Sequence, residues 1–254
     1  MDARFTSDKQ MERAPLLIAS GLKRSFGGVV AVADVSIAVK AGEIVGLIGP
    51  NGSGKSTFLN LLTGTILTDS GCITLQGVDI TRDAPYRRVR QGMSRLFQHS
   101  RVFPSLTLQE NFRVLMGGVG DTDVLQLLGK VGLVTRVEDL AGDLSYGQQR
   151  LLEFTRVLAL KPQIVLLDEP TAGVHPKIVE RMKELISDLR DEGVAVVIVE
   201  HNIEFVTSLA DRLVALAEGR IIAEGAPLDV LANSDLISAY FGDGSKTEPA
   251  RDSG

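Results

Sequence analysis

Hydrophobic and polar positions along the chain follow two spacings, and each spacing predicts one kind of element. Between Leu16 and Lys40 apolar and polar residues alternate and many are β-branched, which favours antiparallel strands. Short, continuous apolar runs follow at Glu43–Ile48, Ile164–Leu167 and Val194–Val199. Runs of this length predict strands that are buried on both faces.

A helical spacing occurs between these runs. From Pro176 to Arg190 apolar residues recur every three or four positions, as in a helix with one face packed on a sheet. The residues of this face are Ile178, Met182, Leu185 and Leu189. Weaker patterns predict strands at Cys72–Leu75 and Met93–Phe97, with a short basic helix from Asp83-Ala84-Pro85 between them. Strands that alternate with helices predict an α/β fold with a mostly parallel sheet flanked by helices.

The middle of the chain predicts an inserted helical subdomain, at about 99–160. Its central part, Phe112–Asp143, contains a glycine-rich break at Gly117–Gly120 and then a leucine-rich helical pattern. That pattern passes through Leu125, Leu128 and Val131. We therefore expect one domain over 16–242, with an N-terminal antiparallel β subdomain, between polar, disordered tails at 1–15 and 243–254.

Composition narrows the functional classes. The 254 residues are 44% hydrophobic and 23% charged, as in a soluble protein, and the net charge of −5 argues against sequence-independent binding of nucleic acid. A single cysteine, Cys72, excludes an intramolecular disulfide and fits a reducing compartment. No apolar run approaches the roughly 18 residues that cross a bilayer, and we expect no secretory signal. Any membrane role would be peripheral, through a partner.

The segment GPNGSGKST predicts a phosphate-binding loop between a strand and a helix. Glycines allow successive backbone N–H groups to face a polyphosphate, and the helix that follows adds the positive end of its dipole. Lys55 would reach the β- and γ-phosphates, and Ser56 would offer its hydroxyl to Mg²⁺. The predicted nucleotide-binding residues of this loop are Gly49, Pro50, Asn51, Gly52, Ser53, Gly54, Lys55, Ser56 and Thr57.

Polar residues at three strand ends predict the hydrolytic chemistry. A buried strand that ends in Asp168 and Glu169 would deliver both carboxylates beside the phosphate loop. Asp168 would then hold Mg²⁺, and Glu169 would polarise the attacking water. Gln98 would contact the metal and the water, and His201 would contact the γ-phosphate. A purely structural role is the alternative for Gln98 and His201. With Lys55, these residues form the predicted catalytic set.

A second turn, LSYGQQR at Leu144–Arg150, predicts another anion-binding surface. Ser145 fits the N-cap of a helix that extends to about Leu160, and Gly147 lies beside it. An ordinary capped helix is the alternative. A single chain does not easily bring this turn to its own phosphate loop across the inserted subdomain, whereas a second copy arranged head to tail would.

These motifs resemble the ATP-binding-cassette family over nearly the whole chain, from about Leu16 to Gly242. The resemblance implies a P-loop NTPase fold of RecA-like type, with ATP and Mg²⁺ as cofactors and two cassettes that sandwich two ATP molecules. Gly49–Thr57 is similar to the family's Walker A loop, and Ile164–Glu169 to its Walker B strand. Leu144–Gln148 is similar to the family signature, Gln98 to the Q-loop residue and His201 to the switch histidine. Phe26 would stack on adenine, Val32 would join the nucleotide site, and Ser145, Gly147 and Gln148 would bind the ATP of the other protomer.

Four segments look like one branch of the family, the ATPases of branched-chain amino-acid importers, with urea and short-amide importers close behind. They are SFGGVVAV, LSYGQQR, EHNIEFV and ISAYFG. This implies an ATP hydrolase at the cytoplasmic face of the bacterial inner membrane. Its partners would be transmembrane permease subunits and, indirectly, a solute-binding protein, and it would not bind nucleic acid. His175 departs from the family's usual acidic residue, and Met116–Asp123 is shorter than the insert of this branch. An exporter of lipid or lipopolysaccharide, or a soluble cassette acting on DNA or the ribosome, is the alternative.

Two surface segments complete the predictions. The resemblance implies that the apolar segment Val102–Leu106 borders a groove that receives a short helix of the membrane subunit. Packing of Phe103 and Leu106 at the subdomain junction is the alternative. A basic cluster is read as a solvated, partly salt-bridged face rather than a nucleic-acid site. It contains Arg87, Arg88, Arg90, Arg95 and Arg101.

Overall fold

The structure is a computed structural model that describes residues 14–98, 101–116 and 120–241. The predicted tails lie outside these ranges except for residues 14 and 15, as does most of the glycine-rich break at Gly117–Gly120. In chain order the strands are β1 (Pro15–Phe26), β2 (Val29–Lys40), β3 (Ile44–Ile48), β4 (Ser70–Leu75), β5 (Val78–Asp79), β6 (Met93–Leu96), β7 (Ile164–Asp168), β8 (Ala195–Val199), β9 (Arg212–Ala217) and β10 (Arg220–Gly225). The helices are α1 (Lys55–Thr63), α2 (Pro85–Arg90), α3 (Leu108–Met116), α4 (Asp121–Lys130), α5 (Tyr146–Ala159), α6 (Pro176–Asp191), α7 (Ile203–Thr207), α8 (Pro227–Leu231) and α9 (Ser234–Phe241).

The strands form two sheets. The N-terminal sheet is antiparallel, in the order β2-β1-β4-β5, as the alternating pattern of the first 40 residues predicts. The larger sheet has the order β10-β9-β3-β8-β7-β6, and only β10 runs against its neighbour. The predicted α/β fold with a mostly parallel sheet is confirmed.

The parallel sheet is covered on both faces, which explains the continuous apolar runs of its central strands. In β3 the side chains of Ile44 and Ile48 enter one hydrophobic cluster, and those of Val45 and Leu47 enter the other. The first cluster includes α5 and α6, and the second includes α1 and the antiparallel sheet. Because β3, β8, β7 and β6 are parallel neighbours, their carboxyl ends meet at one edge of the sheet.

Helices α3, α4 and α5 lie between β6 and β7, inside the range predicted for the helical subdomain. Two short 3-10 segments, Val134–Arg136 and Ala141–Asp143, connect α4 to α5. In α4 the buried face consists of Val124 and Leu128, whereas Leu125 is exposed. Among the described residues, none of the helices is long and apolar enough to cross a membrane.

Candidate active site

The phosphate loop leaves β3 at Gly49 and enters α1 at Lys55. Gly49 and Gly54 have φ values of 146° and 104°, in the region that favours glycine. A Cβ atom at Gly49 would lie 2.0 Å from the carbonyl oxygen of Leu216, and one at Gly54 would lie 2.3 Å from that of Ala31. Both positions therefore require glycine, for conformation and for space.

Lys55 is buried at the centre of the loop. Its Nζ atom donates hydrogen bonds to the carbonyl oxygens of Gly49, at 2.7 Å, and Pro50, at 2.9 Å. Burial lowers the pKa of Lys55, and the negative charges of Glu169 and Asp168 oppose that change. A phosphate group in the loop would offer this ammonium a stronger, charged acceptor than the two carbonyl groups.

A cavity of about 200 Å³ lies over the loop. Its lining contains Ala31, Asn51, Gly52, Ser53, Gly54, Lys55, Ser56, Thr57, Glu169 and His201. The structure thus brings most of the predicted loop together with two residues of the predicted catalytic set. Two further predicted nucleotide contacts lie outside this lining. Phe26 is 45% exposed at the end of β1, with the Arg24 guanidinium 4.7 Å from its ring centroid. Val32 is fully buried in the core.

Glu169 is held from both sides by two other residues of the predicted catalytic set. Nε2 of Gln98 donates a 2.7 Å hydrogen bond to one carboxylate oxygen, and Nε2 of His201 lies 3.0 Å from the other. These residues follow β6, β7 and β8, which are neighbours in the sheet. Glu169 itself has φ 44°, a left-handed conformation that turns the chain immediately after the strand. The arrangement orients a carboxylate toward the phosphate loop.

Asp168 forms a buried ion pair that the sequence analysis did not anticipate. Its Oδ2 atom lies 2.6 Å from Nη2 of Arg95, and Nη1 of Arg95 donates to the side-chain oxygen of Asn60 in α1 at 2.6 Å. The available signal was an arginine within strand β6, because a buried charge needs a countercharge or several hydrogen-bond acceptors. The pair joins the Walker B strand to the helix of the phosphate loop.

The predicted metal ligands are Ser56, Gln98 and Asp168, and their chemistry fits Mg²⁺. All three offer oxygen atoms, which this cation prefers, and Mg²⁺ sites in phosphate-transfer enzymes use only one or two carboxylates because substrate phosphates complete them. In the described ranges there is no group of three or more His, Cys, Asp and Glu residues that could hold a metal ion.

The second predicted anion-binding turn forms the N-terminus of α5. Ser145 and Gln148 form a capping box, in which Ser145 Oγ accepts from the Gln148 N–H at 3.4 Å and Gln148 Oε1 accepts from the Ser145 N–H at 3.0 Å. A Cβ atom on Gly147 would lie 2.9 Å from Cγ1 of Ile178, so close packing of α5 on α6 requires glycine there. None of the three lines the cavity over the phosphate loop.

Arg150, in the same helix, contacts the ends of two strands. Its side chain is fully buried, pairs with Glu153 at 2.8 Å, and donates to the carbonyl oxygens of Phe97 and, at 3.3 Å, of Glu169. The buried Glu200, after β8, accepts from the backbone N–H of Thr171 at 2.8 Å and so supports the turn that follows Glu169. Sequence reasoning assigned no role to either side chain. Glu200 directly follows the apolar run of β8, whereas Arg150 follows two glutamines and gave no such signal.

His175, at the position where the resemblance leads one to expect an acidic residue, is the N-cap of α6. Its Nδ1 atom accepts a 3.3 Å hydrogen bond from the N–H of Lys177. An imidazole nitrogen thus serves the capping function that a side-chain oxygen usually serves at a helix N-terminus.

A phosphate loop that faces a strand-end carboxylate defines a nucleotide-hydrolysing protein of the P-loop class. The ABC transporter family model matches residues 32–172, more than half of the chain, and the chain belongs to this family. It is therefore an ABC-type ATPase, and the family binds nucleotides.

Similar proteins extend the match to nearly the full length. The high-affinity branched-chain amino acid transport ATP-binding protein BraF of Pseudomonas aeruginosa is 36% identical over 251 residues, covering 90% of this chain and 98% of BraF. LivG of Salmonella typhimurium, which carries the same description, has the same identity and coverage. Among solved structures, a nucleotide-free ATP-binding cassette from an ABC transporter has a TM-score of 0.82 and 30% identity, covering 90% of this chain and all of that one. The cassette MJ1267 in its ADP conformation has a TM-score of 0.81 and 30% identity, covering 90% of this chain and 99% of that one.

Proposed function

We propose that this protein is the ATPase subunit of a membrane importer for branched-chain amino acids or related small polar solutes. The observation that carries the proposal is the similarity to BraF and LivG, whose names state branched-chain amino acid transport, over 90% of the chain. In this function the chain works at the cytoplasmic face of the bacterial inner membrane, attached to permease subunits that receive solute from a binding protein.

The site supports hydrolysis by positioned charge. Backbone N–H groups of the phosphate loop and the Lys55 ammonium bind the phosphates, and phosphoryl transfer needs little more than such charge and orientation. Glu169 orients the attacking water and accepts its proton as the oxygen joins the γ-phosphorus and the bond to ADP breaks. Gln98 and His201 keep the two carboxylate oxygens of Glu169 at fixed positions. Ser56, Gln98 and Asp168 would hold Mg²⁺, which would neutralise phosphate charge when bound.

A second cassette completes each site in this proposal. The N-terminus of α5 is exposed at Ser145 and lies outside the cavity lining. The capping box uses the N–H groups of Ser145 and Gln148, whereas the Ser145 hydroxyl hydrogen and the N–H groups of Tyr146 and Gly147 are outside it and would donate to the nucleotide of a partner. Ser145→Arg should preserve ATP binding by the isolated chain and abolish hydrolysis, because a long cation replaces the donor that faces the partner's ATP. A fully active Ser145→Arg variant would remove the composite site from the proposal.

The permease subunit is proposed to contact the segment around Phe103. This side chain is 40% exposed, and the Arg156 guanidinium lies 5.1 Å from its ring centroid. The backbone of Phe103 is fixed by Asn111, which accepts from its N–H at 2.9 Å and donates to its carbonyl oxygen at 3.0 Å. Phe103→Asp should detach the protein from membranes and spare nucleotide binding. Retained membrane association and transport would assign Phe103 to packing alone.

The deciding experiment identifies both the partners and the solute. An affinity-tagged chain is purified from detergent-solubilised membranes, and the proteins that accompany it are reconstituted into vesicles with the binding protein of the same system. We expect leucine, isoleucine or valine to stimulate ATP hydrolysis, and Glu169→Gln to remove that stimulation. Stimulation by a lipid or lipopolysaccharide instead, or recovery with ribosomes or DNA, would reject the importer in favour of those functions.

A further inference from the structure

The last helix of the described chain, α9, is anchored so that one of its faces points at the phosphate loop. Its N-terminus is capped by Asn233, whose side-chain oxygen accepts from the N–H groups of Asp235 and Leu236 at 2.9 and 3.2 Å. Leu236 is buried in the main hydrophobic cluster. Tyr240 follows four residues later, on the same face of the helix.

Tyr240 contacts the loop through one hydrogen bond. Its hydroxyl oxygen accepts from the backbone N–H of Gly49 at 3.0 Å, across 191 positions of sequence. Burial raises the pKa of Tyr240, so the phenol is neutral near pH 7. The segment ISAYFG, which contains this residue, has no part in the site described above.

Gly49 is the residue of the loop that most needs such an anchor. Its φ of 146° is open to glycine and to few other residues, and glycine is also the residue with the greatest conformational freedom. Its carbonyl oxygen is held by Lys55, but the lysine must leave that oxygen to bind a phosphate. Neither Gly49 nor Tyr240 lines the cavity over the loop, so the hydrogen bond between them does not depend on where the lysine side chain lies.

We propose that Tyr240 is a positioning residue for ATP binding, which holds Gly49 and so keeps the phosphate loop open in the shape that fits phosphates. The inference rests on the proposed role of Gly49–Thr57 in holding the nucleotide. A loop that is already ordered binds its ligand without a further entropy cost, and Tyr240 supplies part of that order from the C-terminal end of the domain.

The test compares Tyr240→Phe with a matched control, Tyr86→Phe, in the full chain. Tyr86 is exposed on α2, and its hydroxyl accepts from Nε of Arg87, away from the loop. A fluorescent ATP analogue is titrated with Mg²⁺, and we expect Tyr240→Phe to raise the dissociation constant about two- to tenfold, the value of one hydrogen bond. Tyr86→Phe should leave it unchanged. Hydrogen exchange should quicken in peptides that contain Gly49 and stay unchanged in those of α4.

The outcomes separate positioning from general stability. Weaker nucleotide binding, together with faster hydrogen exchange in the loop peptides alone, supports the inference. Unchanged affinity, or faster exchange spread through the whole domain, overturns it. Lys55→Ala is titrated in parallel: if it abolishes binding while Tyr240→Phe has no effect, only this inference fails. If Lys55→Ala also binds normally, the phosphate-loop assignment fails and takes this inference with it.

Discussion

Replacement of Arg95 by methionine should cause a large loss of stability for a single substitution at the site. The guanidinium lies 2.6 Å from the Asp168 carboxylate, and the two side chains are only 7% and 9% exposed. Methionine preserves much of the apolar volume but leaves Asp168 buried without its countercharge. Removing one member of a buried pair costs about 3–5 kcal/mol, and each kcal/mol lowers the unfolding temperature of a domain of this size by about 2–4 °C. The expected decrease is therefore on the order of 6–20 °C.

A double-mutant cycle tests whether the pair itself is the cause. Arg95→Met, Asp168→Asn and the double variant are unfolded in urea and followed by circular dichroism. The double variant should lose less free energy of unfolding than the sum of the single variants, by about 1–3 kcal/mol, because neither charge is then left alone. Arg87→Met removes the exposed guanidinium that lies 3.7 Å from Asp83 and should leave the urea midpoint unchanged. A loss below about 1 kcal/mol for Arg95→Met, or strict additivity, would refute the reasoning.

Three further substitutions test the site. Lys55→Ala should weaken ATP binding about 10- to 100-fold, the range for losing a charged hydrogen bond to phosphate, and an unchanged dissociation constant in a nucleotide titration would contradict the role of the loop. Glu169→Gln should slow hydrolysis about 10²- to 10⁴-fold in a phosphate-release assay while ATP affinity is retained, and normal turnover would exclude it as the base. Gly147→Ala should lose about 1–3 kcal/mol in thermal unfolding, because its Cβ would lie 2.9 Å from Ile178. As a control, Gly129→Ala in α4 adds a Cβ atom with nothing within 4 Å, so it should raise the free energy of unfolding by up to about 1 kcal/mol. If Gly129→Ala were instead the less stable of the two variants, the packing argument would be contradicted.

The fold followed from hydrophobic spacing because the central strands are buried on both faces. The apolar runs that end at Leu167 and Val199 have the length and composition typical of strands in a covered parallel sheet, and such strands bring their carboxyl ends to one edge. Gln98, Glu169 and His201 all follow strands of that kind, so their proximity was accessible to sequence reasoning. Their roles in hydrolysis remain predictions.

Contacts that depend on side-chain direction, or on partners distant in the chain, could not be predicted from the sequence. Ala31 lines the cavity and Val32 is buried, because successive residues of β2 face opposite sides of the sheet and the sequence does not say which side faces nucleotide. Arg95 was assigned to a solvated basic face, yet a neighbouring strand supplies its partner, Asp168. Tyr240 reaches Gly49 only through the packing of α9, which no local pattern describes.

The placement of Arg150 links the N-terminus of α5 to Glu169, the residue proposed to act in hydrolysis. Arg150 lies five residues after Ser145 in one continuous helix, and its guanidinium donates to the carbonyl oxygens of Phe97 and Glu169. Phe97 directly precedes Gln98, whose side chain holds one carboxylate oxygen of Glu169. If α5 moves as a rigid element, its displacement would act on Glu169 in two ways. One is through the carbonyl oxygen of Glu169, and the other is through Gln98, which orients the Glu169 side chain. A second cassette that binds at Ser145, as proposed, would therefore need no long pathway to change hydrolysis, because less than two turns of helix separate Ser145 from the arginine that contacts Glu169.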